Sequence, residues 1–319
     1  MIKSKHIFYS CIILSIIICF AILILKPHNK IEVILATDSI KEWPYSNLNY
    51  YPVKDEIAMK PLSIAIIDTG TDKTSPCLKN MDIEEIKITG SEDNDSKHGT
   101  LITSAFCTSK FLDTPSLDGK LLRDHLKMYS IDVGTDKKIE IESLNKGISV
   151  ALENNVDIIN LSIGTYKNNA KLNNLINEAL NRGILVITSA GNDMTRQKLY
   201  PSAYEGVITV AAIDQKNNYV QTNNFNSDIT LSAPGIDIPT SLMDEHGKNQ
   251  IISGTSASSI LVSSLVVLLK TIDPKIDEKK LNEIFKQTSI DLGTKGRDDH
   301  YGFGLIDFQS IIKYVNQAN

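Results

Sequence analysis

The sequence predicts an α/β protein: a parallel sheet with helices on both faces, three layers in all, behind an apolar N-terminal segment. Three observations lead there. Short apolar runs alternate with stretches of helical spacing through the middle of the chain, the order that builds a covered parallel sheet. Several of those runs end on small or polar residues, and in such sheets active sites gather at the carboxyl ends of the strands. The composition is ordinary for a globular protein, 319 residues with 42% hydrophobic and 22% charged, enough for one large α/β domain or two small ones.

A formal net charge of −5 and the lack of any basic run argue against nucleic acid as a partner. Of the four cysteines, Cys11 and Cys19 lie in the N-terminal apolar run. Cys77 and Cys107 remain for the body of the protein, too few for a disulfide framework. Two separate buried thiols are the expectation, with a Cys77–Cys107 bridge as the alternative.

The chain opens with Lys3 and Lys5, then Ile7 to Leu25 is uncharged and apolar, about as long as the ~20 residues a bilayer-crossing helix needs. Leu23-Ile24-Leu25-Lys26 lacks the small-x-small pattern of a signal-peptidase site, and Ile18 before Cys19 rules out a lipoprotein box. The reading is an uncleaved anchor over residues 1–30, contacting the membrane through residues 7–25; the competing reading is a cleaved signal and a secreted protein. Flanking lysines on both sides leave the orientation open. Residues 31–60, with Pro44 and Pro52, read as a linker and N-terminal extension, and residues 61–319 as the main folded domain.

Leu62 to Ile67 is a buried strand that ends on Asp68-Thr69-Gly70. Ile86 to Ile88 is a short strand before an acidic loop, and His98-Gly99-Thr100 opens a helical stretch, Leu101 to Cys107. Leu126 to Val133 is strand-like and Leu144 to Leu152 helical. Val156 to Leu161 is a strand that ends on Ser162-Ile163-Gly164. The helix Ala170 to Asn181 closes at Arg182-Gly183, a C-cap pattern. Ile184 to Thr188 is a strand running into Ser189-Ala190-Gly191-Asn192, and Val207 to Ala212, Thr230 to Ser232 and Asp237 to Thr240 are further strands. Ser253-Gly254-Thr255-Ser256 leads into the apolar helical run Ile260 to Leu269, and Asp277 to Gln287 is another helix.

A hydroxyl in the first turn of a helix sits among unpaired backbone N–H groups and a partial positive charge. That setting suits negative charge building on oxygen, although Ser and Thr are also favoured there as plain caps. The chain supplies the rest of one chemistry. His98 is a base for Ser256, Asp68 is an acid to orient His98, and Asn192 is an amide donor for an oxyanion. Each has a bland reading as a turn or structural residue; jointly they fill four different roles.

On these motifs the chain resembles the subtilisin-like serine proteases, the subtilases of peptidase family S8. Ile66-Ile67-Asp68-Thr69-Gly70 resembles the Asp motif, with Ser75-Pro76-Cys77-Leu78 after it. His98-Gly99-Thr100 resembles the His motif, Ser189-Ala190-Gly191-Asn192 the oxyanion segment, and Ser253-Gly254-Thr255-Ser256 the Ser motif. Asn160-Leu161-Ser162-Ile163-Gly164, Tyr200-Pro201, Ala233-Pro234-Gly235 and Tyr301-Gly302-Phe303-Gly304 are similar to further landmarks. The resemblance implies a subtilisin-like fold and a serine endopeptidase with Asp68, His98 and Ser256 as triad and Asn192 in the oxyanion hole. It also implies an extended peptide or protein substrate bound along Ser162, Ile163, Gly164 and Gly191, and a cis Tyr200–Pro201 bond. No cofactor is expected, and no metal either, because the loop that commonly binds calcium in the family is not recognisable between Lys110 and Lys120. Nothing in the sequence bears on oligomeric state.

Several positions depart from the family pattern. Leu101 replaces a second His, Ala257 the Met after the nucleophile, and Ile260 a later Pro, while Thr165 follows Gly164. Ala257 is expected to open the leaving-group side, and Ile260 to shift the first helical turn. Between Leu25 and Trp43 there is no room for an inhibitor domain, so the expectation is folding unaided or with a separate protein, and maturation without self-excision. Asp193 at the pocket rim suggests a weak preference for a basic P1 side chain, and Leu199 a narrowed floor, against the alternative that both are plain loop residues. The expected biology is a membrane-anchored, extracytoplasmic protease that matures a secreted peptide, with general degradation of exported protein as the other role. The rival from another class is a non-catalytic subtilase-fold scaffold at the membrane.

Overall fold

The computed structural model describes residues 42–53, 57–89, 97–135 and 138–318. The strands are β1 (Leu62–Asp68), β2 (Asp82–Lys87), β3 (Leu126–Asp132), the two-residue β4 (Gly134–Thr135) and β5 (Lys138–Ile139), β6 (Ile158–Leu161), β7 (Leu185–Ser189), β8 (Ile208–Ile213), β9 (Leu231–Pro234), β10 (Ile238–Met243) and β11 (Asn249–Ile252). Seven of them form one sheet in the order β2-β3-β1-β6-β7-β8-β9, and every pairing in it is parallel. The central strands are buried on both sides, which is why they read as unbroken apolar runs. The expected N-terminal transmembrane helix lies outside the described residues.

The helices are α1 (Lys97–Cys107), α2 (Ile141–Glu153), α3 (Ala170–Asn181), α4 (Thr255–Ile272), α5 (Glu278–Thr288) and α6 (Phe308–Ala318). Alternation along β1 divides the core between the two faces. Ile64 and Ile66 join Ile102 and Phe106 of α1, the length of α4, and Phe285 and Phe308 of α5 and α6. Ala65 and Ile67 join Leu144 and Ile148 of α2 and Leu172 and Ile176 of α3. Helix α3 begins where Asn169 accepts a hydrogen bond from Leu172 N at 2.9 Å and ends before Gly183 at φ +77°, the expected cap. Helix α4 is buried all round, as an apolar helix in the middle of a fold must be. The buried hydroxyls along its length are paired: Ser258 donates to Ala233 O at 3.0 Å, Ser263 to Ser259 O at 3.0 Å and Ser264 to Leu261 O at 2.7 Å.

Several elements differ from the sequence-based reading: β10 runs on to Met243, and β11 and the short β4 and β5 were not expected. Strand β2 starts at Asp82, four residues before the expected Ile86, because this edge strand turns Asp82, Glu84 and Glu85 to solvent and so carries little apolar signal. Helix α6 was not expected at all, although Phe308, Ile311, Ile312 and Val315 mark its buried face at helical spacing.

The two cysteines are a correction. Cys77 and Cys107 are bonded to each other, with their Cα atoms 6.1 Å apart, and are not separate thiols. Cys107 ends α1, and the turn after β1 that carries Cys77 runs beside that helix; counting residues could not see this proximity. Tyr200–Pro201 is cis as expected, and Trp43–Pro44 is cis as well.

Residues 42–53, within the stretch read as linker, pack into the body. Trp43 Nε1 donates to Ile236 O at 2.7 Å, Tyr50 Oη donates to Lys110 O at 2.7 Å, and Phe308 N donates to Leu48 O at 2.8 Å. Tyr45, Tyr50, Phe111 and Phe308 form one ring cluster. Burial pushes the Tyr50 phenol well above its ordinary pKa, so it stays a donor. Tyr50→Ala is expected to destabilise the protein by about 3 kcal/mol and Tyr50→Phe by about 1 kcal/mol, read by urea unfolding. A negligible loss from Tyr50→Ala would mean the segment is not part of the fold.

Candidate active site

Strand β1 delivers Asp68 to the carboxyl edge of the sheet, where its side chain is almost wholly buried. Asp68 Oδ1 accepts a hydrogen bond from Thr69 N at 2.8 Å and lies 2.8 Å from His98 Nδ1. His98 stands in the first turn of α1, its side chain about one-third exposed. A neutral ring that donates from Nδ1 to Asp68 keeps Nε2 as its acceptor.

The residues around this pair explain the two motifs. Gly99 N donates to Thr69 Oγ1 at 3.0 Å, Asp72 N to Thr100 Oγ1 at 2.8 Å, and Thr71 and Thr103 hydroxyls meet at 2.8 Å. A Cβ at position 99 would sit 2.1 Å from Gly70 O, so only glycine lets α1 come this close to the turn after β1. The Asp–Thr–Gly and His–Gly–Thr segments are two halves of one hydrogen-bonded contact.

Ser256 occupies the first turn of α4 and is 5% exposed. The residue that starts the helix, Gly254, has φ +117° and ψ 178°, a conformation reserved for glycine. Asn192 Oδ1 accepts from Thr255 N at 3.0 Å and from Thr255 Oγ1 at 3.1 Å, and Gly191 N donates to the same Thr255 hydroxyl at 3.1 Å. With its oxygen held by two donors, the Asn192 amide is oriented with its NH2 as the outward, donating end.

Strand β6 is stitched to the same helical turn. Asn160, fully buried, donates to Ser263 Oγ at 3.0 Å and to Ser259 Oγ at 3.3 Å. The Ser162 and Ser259 hydroxyls lie 3.3 Å apart, and Ser259 donates to Ser256 O at 3.0 Å. The side chains of Ser162 and Ile163 therefore turn inward, Ile163 packing on the core beside α2 and α3, while Gly164 is exposed. Gly164 offers only backbone to solvent, and Ser162 and Ile163 are half-buried.

The structure thus joins the predicted residues in two groups, Asp68 with His98, and Asn192, Gly191 and Ser162 with the turn that bears Ser256. Helices α1 and α4 pack on one another and hold the groups together. Asn160, Thr255 and Thr69 were missed as positioning residues, although each lies inside a quoted motif. Ile260 is buried in a helix that runs unbroken from Thr255 to Ile272, and Ala257 is fully buried. Beside Asp68, its register partner Asp132 lines a polar cleft of about 350 Å³ with Thr69, Gly70, Lys73 and Lys87. Burial raises the Asp132 carboxyl above its ordinary pKa.

The subtilase family model (peptidase S8) matches residues 60–304, and the chain belongs to that family. It is 27% identical over 280 residues to the minor extracellular protease Epr of Bacillus subtilis (strain 168), covering 86% of this chain and 42% of that one. It is 30% identical over 237 residues to the major intracellular serine protease of the same strain, covering 70% of this chain and 73% of that one. Among solved structures, a lanthipeptide protease superposes with a TM-score of 0.66 at 19% identity, over 80% of this chain and 88% of that chain. The likeness in fold is to that protein's architecture. The chain spans less than half of Epr.

The close contact at Gly99 carries a prediction. Gly99→Ala is expected to cost about 1–3 kcal/mol from overpacking against the Gly70 carbonyl, measured as a fall in the urea midpoint. An unchanged midpoint would mean that α1 and the turn after β1 are not locked as described.

Proposed function

We propose that this protein is a serine endopeptidase acting through Asp68, His98 and Ser256. The observation that carries the reading is the Asp68–His98 hydrogen bond at the end of β1, in a fold that packs α1 against the helix whose first turn bears Ser256. In the reaction, His98 Nε2 takes the Ser256 hydroxyl proton as Oγ attacks the scissile carbonyl carbon. Asp68 holds the ring tautomer and stabilises the imidazolium. The oxyanion is met by the backbone N–H of Ser256 and the Asn192 amide, a preorganised pair at the positive end of α4. Collapse of the tetrahedral intermediate breaks the C–N bond, His98 returns its proton to the leaving amine, and the acyl group remains on Ser256. Water then repeats the sequence and frees the enzyme.

The substrate is an extended peptide that pairs with the backbone of Ser162 to Gly164, whose inward-turned side chains favour main-chain recognition. The protein is proposed to be tethered to the membrane through residues 7–25 with the catalytic domain outside. The Cys77–Cys107 bond supports an oxidising compartment. Maturation of a secreted peptide is the proposed role, supported by the tether, which limits reach, and by the likeness in fold to a lanthipeptide protease.

A fluorophosphonate probe is expected to label the wild-type protein and not Ser256→Ala. Asn192→Ala is expected to lower turnover roughly 10²- to 10³-fold with little change in KM. A folded wild-type protein that takes no label would support the non-catalytic scaffold instead.

A further inference from the structure

We infer that this protein cleaves after small residues: Leu199 fills the floor of the pocket that takes the P1 side chain, and a Tyr166–Asp193–Asn224 bridge keeps its walls from spreading. Glycine, alanine and serine are accepted at P1; leucine, phenylalanine and lysine are turned away. The inference rests on the proteolytic reading above and deepens it.

The pocket follows from the site. A peptide whose carbonyl lies between Ser256 and Asn192, with its backbone along Ser162 to Gly164, sends its P1 side chain between the 162–166 and 190–193 segments. Leu199 stands between those walls and is 9% exposed. A Cβ on Gly164 would lie 2.8 Å from Leu199 Cγ, and one on Gly191 would lie 3.0 Å from Leu199 Cδ2. The isobutyl group therefore touches both walls. It has little room to withdraw, because Thr165 and Tyr200 exchange two backbone hydrogen bonds of 2.8 Å, and Ala203 N donates to Leu199 O at 2.8 Å.

The outer end is tied across. Tyr166 Oη, on one wall, donates to the Asp193 carboxylate on the other. Asn224, buried behind them, donates to Tyr166 Oη at 3.0 Å and accepts from Asp193 N at 3.0 Å and Thr195 N at 3.3 Å. Asn224 N also donates to Gly191 O at 2.9 Å. Burial first, and then the bond to Asp193, push the Tyr166 phenol up to about 12, so it remains a donor at neutral pH. The Tyr166 hydroxyl already occupies Asp193 Oδ2, which weakens the basic preference that Asp193 suggests in the sequence alone.

The test is a series of peptides that differ only at P1, with Ala, Leu, Phe or Lys, cleaved by wild type, Leu199→Gly and Tyr166→Phe, each first checked with the fluorophosphonate probe. Wild type is expected to show kcat/KM for Ala at least about tenfold above Phe, Leu and Lys. Leu199→Gly is expected to lower the Ala-to-Phe ratio by about tenfold, and Tyr166→Phe to lower it by less. If Leu199→Gly fails to label, the Tyr166→Phe ratio decides. A labelled wild type that cleaves after Phe or Lys as well as after Ala overturns this inference and leaves the proteolytic reading standing. So does a ratio unchanged in a labelled variant. A wild type that takes no label overturns both.

Discussion

The arrangement depends on one buried contact, the hydrogen bond from His98 to the carboxylate of Asp68. Taking a carboxylate out of water is costly unless strong donors replace the solvent. Thr69 N and His98 Nδ1 do so for Oδ1, while Oδ2 is buried with no hydrogen-bond partner among the described residues. Because the carboxylate is held by the strand that ends there, the position of Oδ1 sets the orientation in which the imidazole can meet it. The glycine pair at 70 and 99 is the steric condition for that orientation, since any side chain at 99 would push α1 away.

The second condition is the start of α4. Its apolar body anchors it through the centre of the fold, so the position of its first turn is set by the core and not by a loop. Gly254 permits the sharp entry, Thr255 fixes the Asn192 amide, and Ser259 links the turn to Ser162 and Asn160 on β6. Buried hydroxyls and amides are expensive when unpaired; here their pairing fixes the site. The polar residues inside α4 are therefore part of the site and not flaws in a core helix.

Much of this was legible in the sequence. Apolar runs of strand length, each ending on a polar or small residue, identified β1, β6 and β7 with their edge residues Asp68, Ser162 and Asn192. Motif resemblance then placed His98 and Ser256 beside them. What the sequence hid was contact between distant segments. The Cys77–Cys107 bond, the packing of residues 42–53 on Phe111 and Phe308, and the Tyr166–Asp193 bridge all join residues whose local patterns say nothing of a partner. Strand β2 was shortened for a different reason, because its exposed acidic residues dilute the apolar signal. Helix α6 had the signal, a spacing of three and four among Phe308, Ile311, Ile312 and Val315.

The most direct measurement is mass spectrometry of the protein quenched during turnover of an activated ester, with the acylated peptide mapped. The account predicts an acyl group on Ser256, formed in a burst that approaches one per molecule and is lost in Asp68→Asn, whose ring partner no longer holds the required tautomer. An acyl group on another residue, or a burst that survives Asp68→Asn undiminished, would contradict it.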